Sequence, residues 1–403
     1  MKLLGPFKQI LTLKNLPLRG ALKDEQLEII ENGAILVQNG EILKVANFVK
    51  LIKEFRQAEV EEINHKMVLL PGFVDCHTHS CFAGIRAMDF AERNAGTSYM
   101  EIAEKGGGIW STVTATRNAS QAELKTLTEN RVNSFLKNGI TTIEIKSGYG
   151  LSVDEEIKIL NTINQLNTKA DVVSTCLAAH TKPRDFAGSS VEYLEYLTEN
   201  LIPKIKHLTN RIDIFTEKSA FGIEESTHYL QKVKEMGFQI TVHADQFTSG
   251  SSQMAVKLEA LSADHLEAST DEDIKILSQS ETVAVALPGA SIGLGEPFTP
   301  ARKLLDSGAC LAIASDYNPG SAPMGNLLAQ ASILATFQKL STAETLAGLT
   351  FRAAKALNIN NIGKISNGFK ADVQSYDTTD YLEILYQQGS MKPIKVWKNG
   401  QLI

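Results

Sequence analysis

The apolar positions of this chain fall into two regimes. Through the middle, short runs rich in β-branched residues lie at 68–75, 141–146, 172–178, 212–216, 239–243, 261–265, 283–287 and 311–315. Between them, at 121–137, 154–166, 191–201, 224–236, 254–258 and 271–277, apolar residues recur every three to four positions. A strand alternates its side chains between two faces and a helix repeats every ~3.6 residues, so the runs predict strands and the stretches predict helices. Strand-then-helix repeated over this length predicts a parallel sheet, and eight such strands predict an α/β fold of the (β/α)8 TIM barrel type. An open doubly wound sheet is the alternative. It would more usually carry a Gly-rich phosphate loop after its first strand, and Gly106-Gly107-Gly108 comes too late and lacks the G-x-G-x-x-G spacing.

The ends of the chain read differently. Short apolar runs at 34–37 and 42–45 flank Asn39-Gly40, a strong hairpin signal, and Asn399-Gly400 follows a similar run at 394–397. A lone hairpin is marginal in water, so one small β-sandwich domain built from both termini is the economical reading. The expected division is 1–66 and 361–403 for that domain and 67–360 for the barrel.

Composition narrows the classes. Of 403 residues, 43% are hydrophobic and 21% charged, which suits a large core and argues against disorder. A net charge of −6 without a basic stripe argues against a nucleic-acid surface. No apolar run reaches membrane-spanning length, and Lys8, Lys14 and Arg19 interrupt the N-terminus before any signal-like segment develops. Cys76, Cys81, Cys176 and Cys310 form no C-x-x-C motif and are too sparse for a disulfide framework, so reduced thiols in a cytoplasmic protein are expected.

The candidate chemistry lies where strands end, the catalytic face of such a barrel. Asp75-Cys76-His77-Thr78-His79 closes the first run, and histidines spaced i, i+2 on a strand end point the same way. His243 closes the fifth, His265 the sixth and Asp316 the eighth. Singly, each has a bland reading as a core imidazole or a turn residue. Together they suit one divalent or trivalent ion, with His77, His79, His243 and Asp316 as ligands and His265 left as a base. Such an ion makes water a nucleophile near pH ~7, the equipment of metal-assisted hydrolysis or deamination. Arg86 after the first strand offers a clamp for a carboxylate, Tyr149 a hydrogen bond, His180 an imidazole at the third strand end, and Asn318-Pro319-Gly320-Ser321 a close backbone approach. Lys146 raises a rival, a carboxylated lysine between two metals, but no second His-rich ligand set accompanies it.

This pattern resembles the amidohydrolase superfamily in its mononuclear form. Three longer blocks look like its imidazolonepropionase family: 106–117, which opens Gly106-Gly107-Gly108-Ile109-Trp110; 144–151, with Lys146-Ser147-Gly148-Tyr149-Gly150; and 314–321, with Ser315-Asp316-Tyr317-Asn318-Pro319-Gly320. The resemblance runs over nearly the whole chain. It implies hydrolysis of 4-imidazolone-5-propanoate to N-formimidoyl-L-glutamate in histidine degradation. It implies one Zn2+ or Fe ion per subunit on His77, His79, His243 and Asp316, with His265 as acid/base and Asp316 beside it among the catalytic residues. Substrate contacts carry over to Arg86, Tyr149, His180, Gln246, Asn318, Gly320 and Ser321. Gln246 stands where some members have Glu, and an amide accepts no proton, which places weight on His265. The implied partners are a small-molecule substrate and a second copy in a homodimer, with no nucleic acid or membrane. A deaminase of the same superfamily, releasing ammonia, and a non-catalytic barrel are the competing classes. Arg86 and Tyr149 favour an acidic substrate, and the complete ligand set disfavours a non-catalytic role.

Overall fold

The computed structural model of the chain describes residues 1–63, 66–97, 101–102 and 105–403. Strands β1 (Lys2–Leu11), β2 (Ile29–Gln38), β3 (Glu41–Asn47), β4 (Glu59–Glu62) and β5 (Met67–Pro71) come first. The barrel strands follow: β6 (Phe73–Asp75), β7 (Ile140–Lys146), β8 (Asp171–Ala179), β9 (Arg211–Phe215), β10 (Gln239–Ala244), β11 (Ser262–His265), β12 (Val283–Ala286) and β13 (Leu311–Ile313). The chain returns to the first sheet with β14 (Val373–Asp377), β15 (Lys395–Lys398) and β16 (Gln401–Leu402).

One expected strand is two. The run at 68–75 splits at Gly72: β5 pairs with β1 and β14 in the terminal sheet, whereas β6 pairs with β7 in the barrel. Residues 67–71, expected with the barrel, therefore lie in the terminal sheet. Hydrophobicity is continuous across the split because both strands are buried on every residue. A side chain at Gly72 would stand 2.3 Å from Thr141 Oγ1, so the crossing point needs glycine.

β6 to β13 are parallel and adjacent in chain order. The seam between β13 and β6 is joined by a bridge between Thr78 and Tyr317, with Asp316 N donating to His77 O at 3.1 Å and His79 N to Tyr317 O at 2.9 Å. Three of the four candidate ligands, His77, His79 and Asp316, thus stand on the seam itself. Around the barrel, the helix Gln121–Lys137 starts at Ser120, whose hydroxyl accepts from Glu123 N, and buries Leu124, Thr128, Val132 and Phe135 at helical spacing. The helix Leu327–Gln338, not expected from the sequence, is buried on most of its residues, so no stripe marks it.

In the terminal sheet both Asn-Gly pairs form two-residue turns with positive φ at each residue: Asn39 54° and Gly40 83°, Asn399 50° and Gly400 73°. The sheet curls until these turns meet, a Cβ at Gly40 standing 3.1 Å from Asn399 Cβ. Leu4, Phe7, Ile42, Val373 and Trp397 fill the small sandwich so formed.

Candidate active site

β6 delivers His77 and His79 just past its end, and β10 delivers His243 near its own. One ring nitrogen from each lies within 4.8 Å of the others. His77 turns Nδ1 to Asp264 Oδ2 at 2.6 Å, and its Nε2 is buried without a hydrogen-bond partner. His79 Nε2 lies 3.4 Å from His243 Nε2. Asp316 Oδ1 is 3.5 Å from His77 Nε2 and 3.3 Å from His79 Nε2. His243 sets Nδ1 3.1 Å from Asp213 Oδ2. Carboxylates on the Nδ1 side of His77 and His243 fix those rings and leave Nε2 as the donor atom, the arrangement that metal-ligating histidines use. Three imidazoles converge here out of water, with the Asp316 carboxylate against two of them, His77 and His79; this donor set fits one zinc or iron ion.

His265 closes β11 with φ of 87°, and Asp316 follows β13 with φ of 51°. Left-handed backbone at two non-glycine residues is costly, of order 1–3 kcal/mol each, and it clusters here at the mouth. The His265 ring centroid is 5.4 Å from that of His243, yet His265 stands outside the group of converging nitrogens. Its Nδ1 is 3.5 Å from Glu267 Oε2.

Lys146 is not a metal ligand. Its ammonium is buried against Asp213 Oδ2 at 2.7 Å and Glu144 Oε1 at 2.8 Å, with Asp264 Oδ2 at 3.9 Å. Burial disfavours the charge, but these carboxylates outweigh it and raise the lysine above its ordinary pKa. A cation so held is not carboxylated, and the bridged two-metal alternative lapses.

A cavity of about 520 Å³ opens above the imidazoles. Its lining includes His79, His243, His265 and Asp316 together with Arg86, Tyr149, His180, Gln246, Asn318, Gly320 and Ser321. The structure thus brings every expected substrate contact to one space. Another groove of about 680 Å³ runs between helices Ser190–Asn200 and Ile223–Glu235, on the barrel's outer wall and away from these residues.

Within the cavity the roles differ. His180 Nδ1 lies 3.0 Å from Gly148 O, so it carries the hydrogen, and the ring stacks on His79 with centroids 5.3 Å apart. Burial and the neighbouring His79 push its pKa down to about 3, which makes it a neutral imidazole. Burial also raises the Tyr149 phenol, leaving it a donor at neutral pH. The Asn318 side chain holds its own loop, accepting from Gly320 N at 2.7 Å and Ser321 N at 2.8 Å and donating to Asp316 O at 2.6 Å.

Several residues escaped the sequence reading. Asp89 Oδ2 accepts from Arg86 Nε at 2.7 Å and from Gly108 N at 2.8 Å. A side chain at Gly107 would meet Asp89 Oδ1 at 2.7 Å, so the Gly106–Gly108 run lets backbone close on the carboxylate that aims Arg86. Glu217 fixes the loop after Gln246 by accepting from Phe247 N, Thr248 N and the Thr248 hydroxyl at 2.7–3.0 Å. Asp213, Glu144 and Asp264 were also missed. The available signal was charged residues inside otherwise apolar strands, where an unpaired charge would be intolerable.

The Amidohydrolase family profile matches residues 68–403. An imidazolonepropionase of Bdellovibrio bacteriovorus is 39% identical over 388 residues, covering 95% of this chain and 91% of that protein. One of Bacillus cereus is 40% identical over 383 residues, covering 93% and 90%. Among solved structures, Helicobacter pylori aminofutalosine deaminase superposes with a TM-score of 0.73 at 14% identity over the full length of both chains. A zinc-bound adenosine deaminase from Xanthomonas campestris gives 0.70 at 18% identity, covering 99% of this chain and 92% of that one. At such identities these two share the fold.

Proposed function

The chain belongs to the amidohydrolase family and to its imidazolonepropionase branch, and from that and its site we infer that it hydrolyses the ring amide of 4-imidazolone-5-propanoate to N-formimidoyl-L-glutamate, a step of histidine degradation. The observation that carries the reading is one cavity lined by both His79 and His243 of the imidazole cluster and by Arg86. The substrate has the same two ends, an electrophilic ring amide and a propanoate.

We assign one zinc or iron ion per subunit to His77, His79, His243 and Asp316. When bound, the ion supplies Lewis acidity, polarising the ring carbonyl and bringing the pKa of a water to about 7. Arg86, aimed by Asp89, and Tyr149 hold the propanoate. His180 offers a neutral Nε2 to the ring. His265 takes the proton as water adds to the carbonyl carbon, then returns it to the ring nitrogen as the C–N bond breaks. That nitrogen stays in the formimidoyl group and no ammonia leaves. The four buried free thiols support a reducing, cytoplasmic setting. The described residues contain no helix long and apolar enough to cross a membrane. The homodimer implied by the resemblance is part of this proposal, and sedimentation equilibrium measures it.

The test is turnover of 4-imidazolone-5-propanoate by purified, metal-assayed protein. N-formimidoyl-L-glutamate without ammonia is expected; stoichiometric ammonia would make the protein a deaminase instead. Arg86→Ala is expected to weaken binding by roughly 1.5–3 kcal/mol, the scale of a hydrogen bond to a charged group. It should also lose preference for the substrate over an analogue lacking the carboxylate, and an unchanged preference would refute the assignment. A Cβ on residue 320 would stand 2.3 Å from Arg86 Nη1. Gly320→Ala should therefore displace the guanidinium and cost on the order of 10² in kcat/KM, the scale of a ~1 Å misplacement. A crystal structure of that variant with Arg86 unmoved would contradict the explanation.

A further inference from the structure

We propose that Lys146 is the positioning residue that assembles the three-imidazole site before any ion arrives; this rests on the reading that the site holds a metal. Two of the three histidine rings, and the backbone that carries the third, are linked to its ammonium through three different carboxylates. Through Asp213, 2.7 Å away, it reaches His243 Nδ1 at 3.1 Å. Through Asp264, 3.9 Å away, it reaches His77 Nδ1 at 2.6 Å. Through Glu144, 2.8 Å away, it reaches the backbone between the two β6 ligands, since Glu144 Oε2 accepts from Thr78 N at 3.2 Å. The Lys146 backbone adds a fourth tie, its N–H donating to Thr78 O at 2.9 Å. Lysine and all three carboxylates are at most 1% exposed.

The arrangement has a physical reason. Three carboxylates are needed to fix the ligands, and packed together in low dielectric they repel one another. One central ammonium lets them sit side by side. It spends its donors on carboxylates and makes no contact with the cavity, so it acts on the ion only through the residues it holds. Loss of partners behind the ligands typically costs 10–100-fold in metal affinity.

Charge alone predicts the opposite sign. Lys146 is a cation beside the place of a second cation, and removing it would by Coulomb's law tighten binding. The experiment is chelator competition for Zn2+ with metal-free wild type and Lys146→Met, each checked by circular dichroism and thermal melting. Zinc bound 10–100-fold more weakly by a folded variant is expected. Affinity that is equal or tighter overturns the proposal. In case that variant does not fold, the metal-free wild type is read directly by imidazole 15N shifts. Single, fixed Nδ1–H forms of His77 and His243 are expected, and rings averaging between tautomers would overturn it. Because zinc is the probe and no substrate is present, the substrate assignment can fail on its own in the turnover assay while this result stands.

Discussion

Alanine at His77 or at His243 is expected to leave the purified protein without bound ion and without measurable turnover. Each imidazole supplies one of the three converging nitrogens, and no other histidine nitrogen among the described residues joins that group. Loss of one leaves two imidazoles and Asp316, too few to hold an ion against water in a site that needs an open position for the nucleophile. The substitution also takes one partner from the carboxylate behind the lost ring: Asp264 for His77, Asp213 for His243. A buried carboxylate that loses a partner costs further free energy, so a lower melting temperature should accompany the loss. Elemental analysis of each variant, and rates measured with zinc or iron added in excess, check the expectation. His180→Ala is the control, since His180 stacks on His79 without joining the cluster. It should keep its ion and lose mainly substrate affinity. Full activity of the wild type after exhaustive chelation would sink the metal assignment, and the His265 role with it.

The barrel and the three converging imidazoles were legible because each rests on a local pattern. β-branched runs, a His-x-His at a strand end and an Asn-Gly between alternating segments report directly on backbone geometry and side-chain direction. What stayed hidden depends on distant pairing. The split at Gly72 is invisible to hydrophobicity, since both halves of the run are buried; only the partners of β5 and β6 tell them apart. Asp213, Glu144, Lys146 and Asp264 sit in apolar strands, and nothing local says that they meet at the barrel axis. Asp89 lies close in sequence to Arg86, but its hold on that guanidinium depends on backbone arriving from Gly108. Asn318 was readable as a cavity residue. That its amide is engaged by its own loop is decided by the fold of residues 316–321.

The same division between ligands and their neighbours decides what His265 does. His265→Ala is expected to keep its ion and bind substrate, yet lose on the order of 10²–10⁴ in kcat, the range for general acid–base catalysis. His265 lines the cavity, but its nitrogens are not among those that converge with His77, His79 and His243. On its Nδ1 side lies Glu267, its side chain 4% exposed, which leaves Nε2 for the reacting proton. Four other cavity groups are poorly suited to move a proton. Gln246 is an amide, His180 is held far below its ordinary pKa, Tyr149 far above, and Asp316 faces two ligand imidazoles. Steady-state kinetics with metal content measured on the same sample separates the roles, because His243→Ala should lose ion and rate together. Imidazole added to the buffer should restore part of the His265→Ala rate by entering the vacated space. Should the variant emerge without its ion, His265 belongs with the ligands. Should it turn over at close to the wild-type rate, the proton must travel through another group, and the division of labour drawn from the cavity would be wrong.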